Sequence, residues 1–313
     1  MTTTIDRVLR SNLKLKHLQL LIALDQFRHL GRTAEFLSVS QPAVSKTLGE
    51  IERMFGTALF ERSTKGTEPT PTGQTVIGFA RRVIADYEKT RDALEVAQSG
   101  AAGRVSVGAM VVAIPVLLTR AMHLFKQGMP AASVLVEEGD LTRLLPRLRM
   151  GELNMIVGRL EPGYAAPDLH TEVLYKEGMC LICSPEHPLA ASKRVSWASL
   201  QNQRWVMPPP WATSRTKLHQ LFYKNRLNPP TDCVETSSYL VTVSQVRELG
   251  AIGFVASNVG QHLQAQGLGC VLPVKLPMDL PPIGIMTLAG RDDNATAEAL
   301  KVAIRSAAKA AFL

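Results

Sequence analysis

From residue 13 to about residue 70, apolar positions recur at short helical spacing. Leu15, Leu18, Leu21 and Ile22 put an apolar face on a first helix that is predicted to close near Leu30 and Gly31. Ala34 and Leu37 turn inward on a short second helix over 32–37, and Ser38-Val39-Ser40 reads as a tight polar turn. Val44, Leu48 and Ile51 form the buried stripe of a third helix, with Ser40 as a natural N-cap and Pro42 suited to the first turn. Residues 59–72 read as strand, turn at Gly66, strand. Beyond Pro71 a single helical pattern runs to Gln98. In it Val76, Ala80, Val83, Tyr87, Thr90, Leu94 and Ala97 are spaced alternately four and three, a heptad seam. That seam packs either on a partner helix or on the chain's own body.

After the small-residue hinge Ser99–Gly103 the pattern changes. Strand-like runs at 105–110, 133–137 and 154–157 alternate with helical patterns at 114–127 and around Leu141, Leu144, Leu145 and Leu148. This β-α-β-α-β order implies a parallel sheet with right-handed crossovers. A second set follows, with strands at 179–183, 205–207, 233–235 and 253–256 and helices at 214–227 and 239–249. The strand 283–288 and the helix 295–311 return to the first lobe. The expected fold class is therefore α+β multidomain: a winged helix-turn-helix over 1–70, a long linker helix over 71–99, and a two-lobed α/β domain over 100–313. Lobe I covers about 104–173 and 281–313, and lobe II about 174–280.

The 313 residues carry a formal net charge of +8, which favours a polyanionic partner such as nucleic acid. No apolar run reaches the ~18 residues of a membrane helix and the N-terminus lacks a signal-like apolar core, so a cytoplasmic protein without a membrane partner is expected. The four cysteines are too few for a disulfide framework. Cys180 and Cys183 match C-x-x-C, but on a strand they face opposite sides, which suits buried thiols better than a shared metal. The seven histidines are scattered, and no phosphate loop, dinucleotide fingerprint or nucleophile elbow is present. No catalytic residue, metal or cofactor is assigned.

Two regions carry chemistry. If the third helix enters a major groove, Gln41 can pair with adenine, Ser45 can reach base edges or phosphate, Pro42 and Ala43 suit a thymine methyl, and Lys46 serves the phosphate backbone. Beside the turn at Gly66, Arg62 and Lys65 would displace counterions from the sugar-phosphate chain. A solvated helix face is the plainer alternative. In the α/β part, small molecules bind beyond the carboxyl ends of strands. Those ends are Met110-Val111-Val112, Gly139-Asp140, Gly158-Arg159, the Pro208–Ser214 loop with Pro209, Trp211, Thr213 and Ser214, the pair Ser237-Ser238, and Phe254. Ser214 and Ser238 at helix starts either bind an anion or cap their helices. Trp211 offers a ring to stack on, and Arg159 either neutralises a carboxylate or lies on the surface.

The run Arg32-Thr33-Ala34-Glu35-Phe36-Leu37-Ser38-Val39-Ser40-Gln41-Pro42-Ala43-Val44-Ser45-Lys46, then Glu50-Ile51-Glu52, Leu59-Phe60-Glu61-Arg62 and Thr70-Pro71-Thr72-Gly73, resembles the LysR-type transcriptional regulators. Within that family the chain looks closest to the subgroup tied to sugar-uptake and aromatic-acid catabolism genes. The resemblance implies a non-enzymatic, ligand-responsive regulator with a periplasmic-binding-protein-type effector domain. It implies interrupted palindromic DNA sites, dimerisation through the linker helix, a homotetramer built as a dimer of dimers, and RNA polymerase as a partner. Carried over by position, Gln41, Pro42 and Ser45 meet bases, and Lys46 and Lys65 stand where the family has DNA-approaching arginines. Thr33, Ser40, Arg62, Thr70 and Thr72 are placed at phosphates, while Arg81 and Arg82 are read as solvated charges. Thr33 departs from the family's usual alanine. A small anionic or ring-bearing inducer is expected between the lobes, where lobe closure would change the spacing of the paired heads. An enzyme with a DNA-binding head and an extracellular two-lobed solute binder are the competing readings.

Overall fold

The computed structural model describes residues 8–63, 66–99, 103–290 and 294–312. Chain contacts divide into two compact units, Met1–Gly100 with Met150–Glu152, and Ala101–Arg149 with Leu153–Leu313.

In the first unit, helices α1 (Leu15–Phe27), α2 (Leu30–Phe36) and α3 (Gln41–Phe55) precede strands β1 (Phe60–Ser63) and β2 (Gly66–Pro69) and the long helix α4 (Pro71–Ser99). Leu21, Leu24, Val44, Ile51 and Leu59 are fully buried, and Val76 and Ile77 from the first turns of α4 join the same core. Helix α1 ends three residues earlier than its apolar pattern suggests. Arg28 takes a left-handed conformation at φ 51°, and the ring of His29 then caps α2 by accepting from Gly31 N–H at 3.1 Å. Of the expected apolar face, Leu18 and Leu21 are buried but Leu15 is 42% exposed, and Leu20, Ala23 and Leu24 are buried besides.

Short-range polar contacts fix the wing. Oε1 of Glu52 on α3 accepts from the backbone N–H of Leu59 at 2.8 Å and of Phe60 at 3.1 Å. Thr67 N–H donates to the Arg28 carbonyl at 3.0 Å, and the Arg28 guanidinium pairs with Glu68. Thr70 Oγ1 donates to the Ala58 carbonyl at 2.9 Å and accepts from Gly73 N–H at 3.0 Å, capping α4. Gly73 lies so close to the wing that a Cβ there would come within 1.9 Å of the Leu59 carbonyl oxygen.

The second unit holds two five-stranded sheets. The first has the order β4 (Ser133–Glu138), β3 (Arg104–Ala109), β5 (Met155–Arg159), β12 (Ile283–Leu288), β6 (Leu169–Tyr175). The second has the order β11 (Cys270–Val271), β7 (Met179–Cys183), β10 (Ile252–Ala256), β8 (Trp205–Met207), β9 (Cys233–Glu235). Parallel pairing holds for β3 with β4 and β5, and for β8 with β9 and β10. Neither sheet is wholly parallel: β12 runs antiparallel to both β5 and β6, and β7 to β10 and β11. The last strand and helix α11 (Ala295–Phe312) do return to the first sheet, with α11 packed on α5 (Thr119–Gly128).

The helical stretch expected over 114–127 is split into a π turn (Ile114–Leu118) and α5, and a 3-10 turn (Val111–Ala113) precedes it. Pro115 has no N–H to give the first turn, so the ladder opens with i→i+5 bonds, among them Thr119 N–H to the Ile114 carbonyl. The remaining helices are α6 (Leu141–Arg149), α7 (Trp197–Gln201), α8 (Thr213–Lys224), α9 (Tyr239–Glu248) and α10 (Ser257–Ala265). Cys180 and Cys183 are buried strand residues, and burial pushes both thiols up to about 12.

Gly73→Ala is expected to destabilise the first unit by ~3 kcal/mol, because the new methyl meets backbone that cannot yield. Chemical denaturation of the full chain reads this directly. Glu52→Ala leaves two N–H groups of the wing without their acceptor and is expected to cost ~2 kcal/mol in the same measurement.

A candidate DNA-reading helix and a ligand cleft

Helix α3 begins where the sequence marks it. Ser40 Oγ accepts from Ala43 N–H at 3.4 Å, and Pro42 occupies the first turn. Val44, Leu48 and Ile51 are buried on one face, while Gln41, Pro42, Ala43 and Lys46 are exposed on the other and Ser45 is half-buried. The helix thus presents its N-terminal end to solvent with polar, small and cationic groups together, an arrangement able to enter a groove.

The residues assigned to phosphate separate. Ser40 and Thr72 are exposed. Thr33 is not available: it is fully buried and its hydroxyl donates to the His29 carbonyl at 2.9 Å. Its side chain fills the inside of α2, as the small residue usual at this position would. The Thr70 hydroxyl is engaged in the capping bonds described above. Arg62 lies in β1 opposite Thr67, and Lys65 falls outside the described residues. Arg81, read as a solvated charge, instead forms an ion pair with Asp25 at 2.9 Å, while Arg82 is exposed.

In the second unit a cleft of about 580 Å3 opens at the carboxyl ends of the parallel strands, a volume suited to a small metabolite. It is lined by Met110, Val111, Val112, Gly139, Asp140 and Arg159 from the first lobe, and by Pro209, Trp211, Thr213, Ser214, Ser237, Ser238 and Phe254 from the second. Strand direction accounts for most of this convergence, since the loops after β3, β4, β8 and β9 and the end of β5 meet at one rim, while Phe254 lies within β10.

The side chains differ in how far they are committed. Asp140 caps α6 by accepting from Thr142 N–H at 3.0 Å and Arg143 N–H at 3.2 Å. Burial alone would raise its carboxyl pKa, but hydrogen bonds from Thr142, from Arg143 N–H and from the Trp211 side chain hold it below the usual carboxylate range. Trp211, on the second lobe, is 67% exposed. Ser238 caps α9 by accepting from Val241 N–H at 3.4 Å. Ser214 has no such duty. Ala212 is the N-cap of α8 and offers no side-chain bond, and Ser214, a residue 9% exposed, makes no side-chain hydrogen bond among the described residues. Arg159 is no surface arginine: it is 5% exposed, and burial draws its guanidinium pKa down, with Glu161 and Glu177 opposing.

Several lining or supporting groups escaped sequence reasoning. Glu161 follows β5 and accepts from Thr213 Oγ1 at 2.7 Å, tying the two lobes. Glu138, Met179 and Tyr239 also line the cleft. Behind it, buried Arg215 donates to the Pro208 carbonyl at 3.0 Å and pairs with Glu235 at 3.0 Å, fixing the loop that carries Trp211. Only the rule that ligands sit beyond strand ends points to Glu161, and a turn two residues past Arg159 gave no further signal. Among the described residues no His, Cys, Asp and Glu cluster could hold a metal ion, and no helix is long and apolar enough to cross a membrane.

Known proteins share both halves of this architecture. Residues 15–74 match the family described as bacterial regulatory helix-turn-helix protein, lysR family, and residues 98–309 match the LysR substrate binding domain. The chain is 30% identical to the HTH-type transcriptional regulator GbpR of Azospirillum brasilense over 96% of this chain and 88% of that protein. It is 27% identical to the HTH-type transcriptional regulator PcaQ of Agrobacterium fabrum over 96% of each. Among solved structures, CbnR, a LysR family transcriptional regulator, superposes with a TM-score of 0.72 at 18% identity over 95% of this chain and 99% of that one. CbnR in complex with its target DNA superposes with a TM-score of 0.70 at 18% identity, over 94% of this chain and 100% of that one. An exposed helix start on a winged head and an α/β cleft domain, each matched over nearly its full length, place the chain in the LysR family of ligand-responsive, DNA-binding transcriptional regulators.

Proposed function

We propose that this regulator reads interrupted palindromic promoter sites as a dimer or a dimer of dimers, and that a small anionic or ring-bearing metabolite in the inter-lobe cleft alters transcription. In this reading residues 1–70 form the DNA head, 71–99 the dimerisation helix and 100–313 the effector domain. Gln41, Pro42 and Ser45 meet bases, Lys46, Lys65 and Arg62 face the phosphate chain with Ser40 and Thr72, and RNA polymerase is the downstream partner. The observation that carries the reading is the N-terminal end of α3. Its inner face is fully buried at Val44 and Ile51, so Gln41, Pro42 and Lys46 are held rigidly outward.

The linker helix supports the paired arrangement. Along its heptad seam Val76 and Ala80 are buried in the head, but Tyr87 is 48% and Leu94 56% exposed. Apolar groups left in water at heptad spacing invite a second helix, each contributing about 1.5–3 kcal/mol when covered.

Gln41→Ala and Ser45→Ala are each expected to weaken binding to the cognate site at least tenfold, in line with the ~1–3 kcal/mol of a base contact, while weak non-specific binding persists. Gel shifts at fixed salt measure it, and full retention of sequence-specific binding by both variants would remove α3 from the role. Leu94→Glu places a charge in the seam and is expected to shift the chain toward monomer in sedimentation velocity, with a matching loss of affinity for paired half-sites but not for one half-site.

A further inference from the structure

The guanidinium of Arg159 is buried with no carboxylate in ion-pair contact, although Glu161 and Glu177 lie near enough to act on it through space. Its two Nη1 hydrogens go to backbone carbonyls, those of Glu177 at 3.2 Å and Pro281 at 2.7 Å, and Nη2 meets only the Met179 sulfur at 3.8 Å. No carboxylate forms an ion pair with it among the described residues. The other deeply buried arginine of this unit, Arg215, has its carboxylate in Glu235 at 3.0 Å. A desolvated cation normally acquires a partner, because burying one unpaired costs several kcal/mol. Arg159 lines the cleft, so the missing partner has somewhere to come from. On the second lobe, Ser214 at the start of α8 lines the same cleft and is 9% exposed.

The two carbonyls that Arg159 holds are not arbitrary. Glu177 lies between β6 of the first sheet and β7 of the second, and Pro281 lies between β11 and β12. These are the two segments by which the chain passes from one lobe to the other and back. Arg159 therefore fastens both crossovers from within the cleft.

Resting on the reading that the cleft takes a small ligand, we infer that Arg159 is an anion sensor: a ligand carboxylate drawn to its guanidinium competes with the crossover carbonyls and so changes the hinge between the lobes. Glu138 and Asp140 also line the cleft and repel a second negative charge, while Glu161 acts on Arg159 itself. The ligand class is thus a monocarboxylate whose remainder carries hydroxyls for Thr236, Ser237 and the acidic groups. Arg159 acts on the hinge through backbone it positions, and on the ligand through charge. The two roles separate by substitution, since lysine keeps the charge but cannot span two carbonyls as a planar fork does.

The test uses the full-length chain with gluconate and 4-hydroxybenzoate, each against its amide, followed by calorimetry and by amide hydrogen exchange. At least one acid is expected to bind ten times or more tighter than its amide, to protect 139–143 and 236–239, and to accelerate exchange at 176–178 and 274–280. Arg159→Lys is expected to keep the preference for acid over amide while its crossover segments exchange alike with and without ligand. Arg159→Gln abolishes the preference. Should that variant not fold, Ser214→Ala serves: acid affinity falls several-fold, amide affinity does not, and the crossover response at saturation is unchanged. Amides that bind and protect the cleft as well as the acids overturn the anion sensor and leave the cleft reading intact. An acid preference with no change at the crossovers overturns the hinge coupling. Failure of all four compounds to protect the cleft overturns the cleft reading itself, and this inference with it.

Discussion

The polypeptide passes between its two five-stranded sheets twice, and that constraint organises the effector unit. Because β12 must come home to the first sheet, it enters between β5 and β6 and runs against both. The parallel strands around it keep their carboxyl ends on one rim, and the loops that leave those ends have only the gap between the lobes to line. A crossover pair in an otherwise apolar interior also leaves carbonyls pointing inward, which must find donors. Arg159 supplies both. The position of a buried charge, the shape of the cleft and the freedom of the two lobes are in this sense a single topological fact.

The same economy appears in the head. A helix start must expose unsatisfied N–H groups, and a helix presented for contact must be held from behind. Here the stripe Val44, Leu48, Ile51 does the holding, and Glu52 on the adjoining face stitches the wing to the same helix through Leu59 and Phe60. The exposed start of α3 and the wing are thus joined through one helix, with the segment Thr70–Gly73 continuing the connection into α4.

Much of this was legible in the sequence, where local pattern and tertiary demand agree. The stripe of α3, the N-cap Ser40, the strand at 179–183 and the loops that meet at the cleft all follow from periodicity and from chain direction. The misses have physical causes. Strand β6 mixes His170, Thr171 and Glu172 with Leu169 and Val173, because an edge strand need not bury alternate positions; Glu172 instead pairs with Arg305 on α11 at 2.7 Å. Thr33 looks like a surface hydroxyl in a polar motif, yet an i−4 bond to the His29 carbonyl lets it fill a core position. Antiparallel insertion of β12 is invisible to local pattern, since a buried strand reads the same in either direction. Arg159 was ambiguous for a related reason: nothing in its neighbours records that two distant segments close over it.

The absence of a side chain at Gly73 has a mechanical meaning. With no Cβ to hold them apart, the first turn of α4 and the Leu59 carbonyl are in direct backbone contact, and there is no soft layer between wing and helix. Twenty-nine residues of helix at 1.5 Å each make a rod of roughly 43 Å whose near end is clamped to the wing. Any bend between the near end of this rod and the wing has to break that backbone contact, since no side chain lies between them to yield first. The bare glycine therefore sets the stiffness of the junction between the wing and α4.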